Sequence, residues 1–488
     1  MKTKPIINQS FNYSFVLITI FFFLYLLRLY TKTFYDDELG TISIINQNLN
    51  IFSLYKYVNT WDVSPPLSYI LVFIGSKLFS YQFAPLIFFP IQIYCLLKFA
   101  ITTSDFFNFD KKTRLLFTIT SLLNPTFLLW CTSLRWYSLW FPLALLAISI
   151  FYFINVKKDK HILTLLLIFS VMFHLNYLTI LFVFSLTISN INFFLNDFIE
   201  YVKKNYLMVI LIIIANCPQF LFLINYHMDN SSNQFGSYTL SFLFPLVTIV
   251  FGNSVFPLEV ISVIFFLILA CIFLINIKKA NIKKLYPLKK ITIFFFTFFA
   301  AIFIFKLGFK PRHSLILYYL FLIFIFINLN WIKNKILIFL FSTILVFFNL
   351  YGLKNTIMQT NTIKNNINFP VKKIMNFIIQ KSTFCKDVDV YTHNINLKYY
   401  LSARKDKNFH INNSFSQSSI LKKNNCTFII KSYFVNGNLE EINLINQIFN
   451  NYKKEFNFKS ISYDKFNDIK KKLYLKNLDN DFTVKILH

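Results

Sequence analysis

The sequence predicts an all-α polytopic membrane protein with about eleven transmembrane helices, followed by a small C-terminal α/β domain. Apolar residues make up 56% of the 488 residues, and charged residues only 14%. Apolar runs near the length that crosses about 30 Å of hydrocarbon recur from residue 11 to about residue 351. Beyond that point the chain turns polar and alternates strand-like with helix-like segments. The predicted strands are Asp387–Tyr391, Cys426–Lys431 and Phe458–Tyr463, and the predicted helices are Leu397–Ala403 and Leu439–Tyr452. We therefore expect a transmembrane domain at 1–353 and a soluble α/β domain at 354–488.

Charge sets the predicted orientation of the chain in the membrane. Lys2 and Lys4 place the N-terminus in the cytoplasm. The first apolar run, at about 11–30, has no small-x-small cleavage site, so we expect a retained first span and an outer segment at 31–64. The net charge of +28 fits Lys and Arg in cytoplasmic loops and beside anionic lipid. No recognition motif for nucleic acid accompanies it, so nucleic acid is not an expected partner.

The apolar run from Leu67 to Phe79 has about 13 residues and is too short to cross the bilayer. As a span it would turn the clusters Lys157–Lys160 and Lys278–Lys290 outward, against the positive-inside rule. We expect instead a juxtamembrane helix half-embedded along the outer face, and a re-entrant or surface-lying run at Tyr238–Phe251. The remaining spans are predicted near 83–101, 113–130, 137–155, on either side of His174, and near 205–225, 257–277, 291–307, 314–330 and 336–351.

Ionisable residues collect on the predicted outer side of this arrangement. They are Asp36, Asp37, Glu38 and Asp62 after the first span, Arg135 after the third, His174 after the fifth, and Arg312 with His313 after the ninth. Ionisable groups at membrane depth are costly and usually line a cavity, so their convergence predicts a functional site. Each of these residue types also has a common structural role that involves no functional site. Acids cap helix N-termini, arginines snorkel to lipid headgroups, and a histidine on an apolar helix is often a satisfied core residue.

Several motifs follow one another in a fixed order between about residues 30 and 320. They are Tyr35-Asp36-Asp37-Glu38, Ser64-Pro65-Pro66-Leu67-Ser68-Tyr69, Asn124-Pro125 with Ser133-Leu134-Arg135-Trp136-Tyr137-Ser138-Leu139, His174, and Pro311-Arg312-His313. Their order and spacing resemble those of GT-C glycosyltransferases, in particular the protein O-mannosyltransferase and aminoarabinose transferase group. Two positions depart from that group. Ser64 stands where His or Lys is common, with Lys56 as the alternative cation, and His313 stands where Tyr is usual.

The resemblance implies an enzyme that transfers a sugar, with inversion, from a polyprenyl-phosphate donor to an acceptor hydroxyl. Such a reaction needs a carboxylate to deprotonate the acceptor. By resemblance Asp37 is that base and Glu38 orients the substrate, and Asp36 takes the role if the register shifts by one. Arg135 and Arg312 would bind the leaving phosphate, because a guanidinium fork matches phosphate oxygens. The other implied substrate contacts are Asp62, Tyr137, His174 and His313.

The expected partners are the polyprenyl-phosphate sugar donor, membrane lipid, and a glycan, lipid or protein acceptor. No metal or cofactor is expected, because no His, Asp, Glu or Cys cluster has ligand spacing. The expected location is the bacterial inner membrane, with the site and the C-terminal domain extracytoplasmic. Cys385 and Cys426 can form a disulfide if the domain faces an oxidising compartment.

A second hypothesis is a flippase or transporter of a lipid-linked oligosaccharide, which also needs basic and aromatic groups facing a lipid cavity. Transporters of this kind carry charged or Gly/Pro-broken spans at mid-membrane in both halves of the chain. In this sequence the predicted spans after residue 205 are nearly uncharged, and the acids concentrate in the first outer segment. The sequence therefore favours the enzyme.

Overall fold

The computed structural model describes residues 7–32, 34, 36–47, 50–61, 65–154, 159–230, 268, 271, 282–304, 315–331, 335–358, 371–392, 395–402, 408–412, 427–431, 455–458 and 482–487. The chain divides into two compact units. The first contains Met1–Lys32 and Thr41–Met358, and the second contains Thr33–Gly40 and Gln359–His488. The second unit thus includes a short segment from near the start of the chain. The domain boundary after residue 353 stays a prediction.

Every regular element of the first unit, among the described residues, is a helix. The helices in chain order are α1 (Ile7–Thr31), α2 (Asp36–Asn46), α3 (Ile51–Trp61), α4 (Leu67–Leu78), α5 (Phe89–Phe106), α6 (Lys111–Leu122), α7 (Pro125–Cys131), α8 (Tyr137–Ile148), α9 (Asp159–Leu175), α10 (Leu178–Ser189), α11 (Ile199–Lys204), α12 (Tyr206–Asn230), α13 (Ile282–Ile304), α14 (Leu315–Trp331) and α15 (Lys335–Met358). Helix α2 begins in the second unit and ends in the first. A 3₁₀ turn at Ala84–Phe88 precedes α5, and π-helical turns at Ser149–Phe153 and Phe193–Phe198 follow α8 and precede α11.

The helices make this an integral membrane protein with a polytopic fold. Within the described residues four helical segments are long and apolar enough to cross a bilayer, or five if α10 and the segment Phe193–Lys204, bent by 106° relative to each other, form one span. The predicted total of about eleven spans stays a prediction. Most of the predicted span at 257–277, and the whole run Tyr238–Phe251, lie outside the described residues.

Three short helices connect α1 to the first long membrane helix. They contain 11, 11 and 12 residues, so each is roughly 17 Å long, about half the thickness of the hydrocarbon core. The last of them, α4, covers the Pro-Pro-Leu segment for which a short helix was predicted. It packs closely on the turn before α5, because a Cβ at Gly75 would meet the Ala84 carbonyl oxygen at 2.7 Å. The side chain at Gly75 is therefore limited to hydrogen.

Aromatic rings form much of the core of the first unit. Phe117 on α6 lies with its ring centroid 6.1 Å from Phe99 on α5 and 5.0 Å from Phe326 on α14. Phe182 on α10 contacts Phe294 on α13 at 5.4 Å. Helices in lipid gain little from the hydrophobic effect and associate by close packing, so interlocking rings of this kind hold the bundle together.

The second unit contains a five-stranded mixed sheet and two described helices. The elements are α16 (Val371–Lys381), β1 (Asp387–Thr392), α17 (Ile395–Ser402), β2 (Asn408–Asn412), β3 (Thr427–Lys431), β4 (Glu455–Phe458) and β5 (Phe482–Leu487). The strand order is β2-β1-β3-β5-β4, with β1 parallel to β2 and β3, and β5 antiparallel to β3 and β4. Helix α17 makes the crossover that the parallel pair β1–β2 requires. The hydrophobic core of the second unit is formed by Ile374, Ile378, Val388, Val390, Leu397, Leu401 and Phe428.

The predicted α/β character of the C-terminal region is confirmed. The segments predicted as strands at Asp387–Tyr391 and Cys426–Lys431 correspond to β1 and β3, and the segment predicted as a helix at Leu397–Ala403 corresponds to α17. The predicted helix at Leu439–Tyr452 lies outside the described residues. So does most of the predicted strand Phe458–Tyr463, of which only Phe458 is described, as the last residue of β4.

Candidate active site

The site begins at a break between two buried helices. Asn124 caps α7, since its side-chain oxygen accepts a hydrogen bond from the backbone N–H of Phe127 at 2.7 Å, and Pro125 occupies the first helical position. Helix α7 ends at Cys131, and α8 starts only at Tyr137. The intervening segment, Thr132–Trp136, carries Arg135 and is buried except for that residue. The Asn-Pro motif thus starts α7, and the Arg-x-Tyr motif lies at the break and leads into α8.

The carbonyl oxygens at this break are satisfied by side chains from elsewhere in the unit. The last carbonyls of a helix have no donor within it, and water is scarce in a buried apolar setting. The Cys131 oxygen lies 2.9 Å from the Tyr25 hydroxyl and 3.0 Å from Nε2 of Gln92. The Thr132 oxygen accepts from Nζ of the buried Lys32 at 2.5 Å. These bonds fix the segment that carries Arg135.

Gln92 also supplies a hydrogen bond that the backbone of α8 lacks. Proline has no N–H, so a proline in a helix leaves the carbonyl four residues earlier without its usual donor. Helix α8 contains Pro142, and the carbonyl four residues before it belongs to Ser138. Nε2 of Gln92 donates to that oxygen at 2.9 Å. One amide group therefore supports both sides of the break.

Arg135 connects three of the sequence motifs. Its Nη1 donates to the Tyr69 hydroxyl at 2.7 Å and to Oγ1 of Thr41 at 3.3 Å. Its guanidinium carbon also lies 5.7 Å from the centroid of the Tyr69 ring, within cation–π range. Tyr69 belongs to the Pro-Pro-Leu helix α4, and Thr41 belongs to α2, which starts at the acidic motif. The guanidinium is therefore held where the Arg-x-Tyr turn meets these two helices.

The acidic motif forms the first turn of α2. Asp36 is the first residue of this helix, and Glu38 precedes Thr41 by three positions, so Glu38 and Thr41 share one face of the helix. The Glu38 side chain is 2% exposed. The side chains of Asp36 and Asp37 lie outside the described part of the structure. Their position at a helix N-terminus agrees with the capping alternative as well as with the catalytic one.

Comparison with known proteins identifies the fold. No protein-family model matches the sequence, and no curated protein matches it. The apo structure of ArnT from Cupriavidus metallidurans matches with a TM-score of 0.55 at 10% identity over 98% of each chain. A structure of the same protein bound to undecaprenyl phosphate matches with a TM-score of 0.52 at 10% identity, over 86% of this chain and 92% of that chain. The chain shares its fold with ArnT. The family resemblance drawn from the motifs is confirmed at the level of the fold.

The other predicted site residues occupy different settings. His174 lies half-buried near the end of α9, with Nε2 at 3.2 Å from the Ala215 carbonyl oxygen on α12. Tyr137 is fully buried, with its ring 5.0 Å from Trp130 and 5.1 Å from Trp136. The residues Asp62, Arg312 and His313 lie outside the described residues. The structure therefore brings Arg135 together with Tyr69 and Thr41 and leaves the other proposed contacts as predictions.

Sequence reasoning missed the residues that support the candidate site. Tyr69 and Thr41 lie within or just after recognised motifs, but no spacing rule pairs either with an arginine 66 or 94 positions away. A polar chain nearby was also missed, in which Tyr177 donates to Gln219 at 3.0 Å and Gln219 donates to Tyr55 at 3.2 Å. The available signal was Gln219 itself, a polar residue within an apolar helix.

We predict that Gln92→Leu lowers the thermal unfolding midpoint of the purified protein, by an amount equivalent to about 1–3 kcal/mol, because it leaves the buried Ser138 carbonyl without a donor. Adding Pro142→Ala should recover part of the loss, since alanine restores the missing N–H. Thr102→Val on the same helix is the control. The Thr102 hydroxyl bonds only carbonyls of its own helix, so the change should be small. An unchanged midpoint in Gln92→Leu, or no recovery with Pro142→Ala, would contradict this account.

Proposed function

We propose that this protein is a GT-C glycosyltransferase that transfers a sugar from a polyprenyl-phosphate donor to an acceptor hydroxyl. The observation that carries the proposal is the Arg135 guanidinium, oriented by Tyr69 and Thr41. These two hydroxyls fix the direction of the guanidinium, whose planar fork of donors matches the oxygens of a phosphate. One structure with this fold, that of ArnT, is bound to undecaprenyl phosphate. That ligand supports a lipid phosphate as the leaving group here.

The reaction we propose is a single displacement at the anomeric carbon. The acceptor oxygen forms a bond to this carbon while the bond from the carbon to the phosphate oxygen breaks. The polyprenyl phosphate leaves with the electron pair, and the acceptor proton passes to the carboxylate of Asp37. Attack opposite the leaving group inverts the configuration of the sugar. Glu38 orients the substrate, and Asp36 replaces Asp37 as the base if the register is shifted by one.

The remaining predicted residues complete the proposed site. Arg135 and Arg312 meet the negative charge that grows on the leaving phosphate, with His313 beside them. Asp62, His174 and Tyr137 are proposed to contact or shape the substrate site, and the burial of Tyr137 favours a shaping role. In this proposal guanidinium groups meet the phosphate charge without a metal ion or a cofactor. The acceptor is a lipid-linked glycan, a cell-envelope polymer or a protein.

We further propose a bacterial inner-membrane protein of about eleven spans whose site and C-terminal domain face outward. Cys385 is disulfide-bonded, which supports an oxidising compartment for this domain. We propose Cys426, which lies outside the described residues, as its partner. The exposed basic residues Lys204 and Arg114 pair with Asp159 and Asp105. They belong to the basic loops that the positive-inside rule assigns to the cytoplasm.

We predict that Asp37→Asn lowers sugar transfer from a polyprenyl-phosphate donor by about 10²–10⁴-fold, because an amide cannot accept the acceptor proton. Membrane yield and folding should stay normal. The measurement is release of polyprenyl phosphate and formation of glycosylated product, followed by mass spectrometry over a panel of lipid-phosphate sugars. Asp36→Asn is the matched control and should keep most activity. Full activity in Asp37→Asn would remove the proposed base, and the reverse pattern would assign the role to Asp36.

The same assay separates the enzyme from the flippase or transporter hypothesis. A transporter would move a lipid-linked glycan across the bilayer of a proteoliposome and would leave its covalent structure unchanged. An enzyme forms product in detergent solution, where there are no two compartments. Transport without product formation would therefore favour the second hypothesis.

We predict that Arg135→Lys raises the donor KM about tenfold, because an ammonium keeps the charge and loses the planar fork. Tyr69→Phe should raise the donor KM less, by about threefold, since it removes the hydroxyl that orients the guanidinium. Tyr94→Phe, on an exposed part of α5, is the control and should match the wild type. Normal donor kinetics in both Arg135→Lys and Tyr69→Phe would place the phosphate elsewhere.

We predict that a membrane-impermeant maleimide labels the C-terminal domain in intact cells only after reduction, because its cysteines are bonded and face outward. The exposed Cys217 and Cys271 are first replaced by serine to remove background labelling. Lys204→Cys in the same background is the control for the opposite face, and it should be labelled only after permeabilisation. Labelling of the domain only after permeabilisation would overturn the topology.

A further inference from the structure

The second unit holds the segment that leads into the acidic motif. The backbone N–H of Phe34 donates to the Tyr400 hydroxyl at 2.9 Å. The Phe34 ring stacks on the Tyr400 ring, with centroids 6.4 Å apart and planes at 15°. It also meets the Tyr399 ring edge-on at 5.9 Å. Phe34 is 4% exposed, so this contact is buried although its partners lie 366 residues apart.

This contact reaches the acids through a short stretch of chain. Phe34 precedes α2 by two residues, and the first turn of α2 contains Asp36, Asp37 and Glu38. Both this turn and Tyr400 belong to the second unit. The position of Phe34 therefore restricts where α2 can start, because only Tyr35 separates Phe34 from the first helical residue.

The charge of one of the acids also acts on Tyr400. Burial raises the pKa of the Tyr400 hydroxyl above its usual range, and the charge of Glu38 raises it further. The group is therefore protonated at neutral pH. It accepts a hydrogen bond from the Phe34 amide while keeping a proton of its own.

We propose that Tyr400 is a positioning residue for the catalytic acids, and that one role of the C-terminal domain is to set the start of α2 through the Phe34–Tyr400 bond. The proposal rests on the proposed glycosyl transfer. It assigns the C-terminal domain a part in turnover that is distinct from acceptor recognition. A displaced base reduces the rate of the chemical step, because proton transfer requires hydrogen-bond distance to the acceptor. Donor binding depends on other groups and should not change.

The test compares Tyr400→Phe with Tyr399→Phe. Tyr400→Phe removes only the hydroxyl and keeps the ring that stacks on Phe34. Tyr399→Phe makes the same chemical change on a neighbouring residue of α17 whose ring also contacts Phe34. Three quantities are measured for each purified variant. They are kcat and donor KM for sugar transfer per folded molecule, and hydrogen exchange of the peptide that contains Phe34.

We expect Tyr400→Phe to lower kcat about tenfold with an unchanged donor KM. The Phe34 peptide should exchange faster in this variant, and Tyr399→Phe should match the wild type in all three measurements. A merely structural role would lower the yield of folded protein and leave kcat per folded molecule unchanged, which would overturn the proposal.

The two readouts distinguish failure of this proposal from failure of the proposed function. If the wild type transfers no sugar from any lipid-phosphate donor, the glycosyltransferase assignment fails and the catalytic part of this inference fails with it. If the wild type is active and Tyr400→Phe has normal kcat and normal exchange at Phe34, only the positioning role is lost.

Discussion

The first unit depends on satisfying the backbone at a helix break inside an apolar bundle. In hydrocarbon a carbonyl without a donor costs several kcal/mol, since no water can replace the missing bond. Here the break between α7 and α8 is supported by Lys32 at the end of α1, Tyr25 within α1 and Gln92 on α5. These side chains supply the hydrogen-bond donors that the backbone lacks after the end of α7 and at Pro142. The break is thus a fixed feature that joins distant parts of the chain.

The break sets the position of the Arg135 guanidinium. A continuous helix from α7 through α8 would project this residue from a regular helix face, whereas the irregular segment places its guanidinium against the Tyr69 hydroxyl and ring. Thr41 is the second hydrogen-bond partner. These two hydroxyls orient the cation before a substrate arrives, which is the arrangement that electrostatic catalysis requires. Preorganisation of this kind connects the packing of the bundle to the proposed chemistry.

The C-terminal region contributes more than an attached soluble domain. Its compact unit includes residues 33–40, and the contact between Phe34 and Tyr400 explains why. The acids that begin α2 therefore depend on residues from both ends of the sequence. Truncation at the end of α15 would remove Tyr400 and its contact with Phe34. The position of the acidic motif therefore depends on the C-terminal region as well as on the helices.

The sequence by itself determined the elements whose signal is local. Apolar length separated the short Pro-Pro-Leu helix α4 from the longer membrane helices, because a run of about 13 residues is too short to cross the bilayer. Alternation of apolar residues located β1 and β3. The order of the motifs pointed to the GT-C fold, although at 10% identity no single motif would have been enough.

Only the tertiary structure decided which residues meet. Periodicity reports the face on which a side chain lies and carries no information about a partner 46, 66 or 94 positions away, as for Gln92 with Ser138 and Arg135 with Tyr69 and Thr41. The sequence alone also could not predict that residues 33–40 belong to the C-terminal unit. Contacts of this kind are set by how the helices and the sheet pack, and packing depends on the shape of the whole chain.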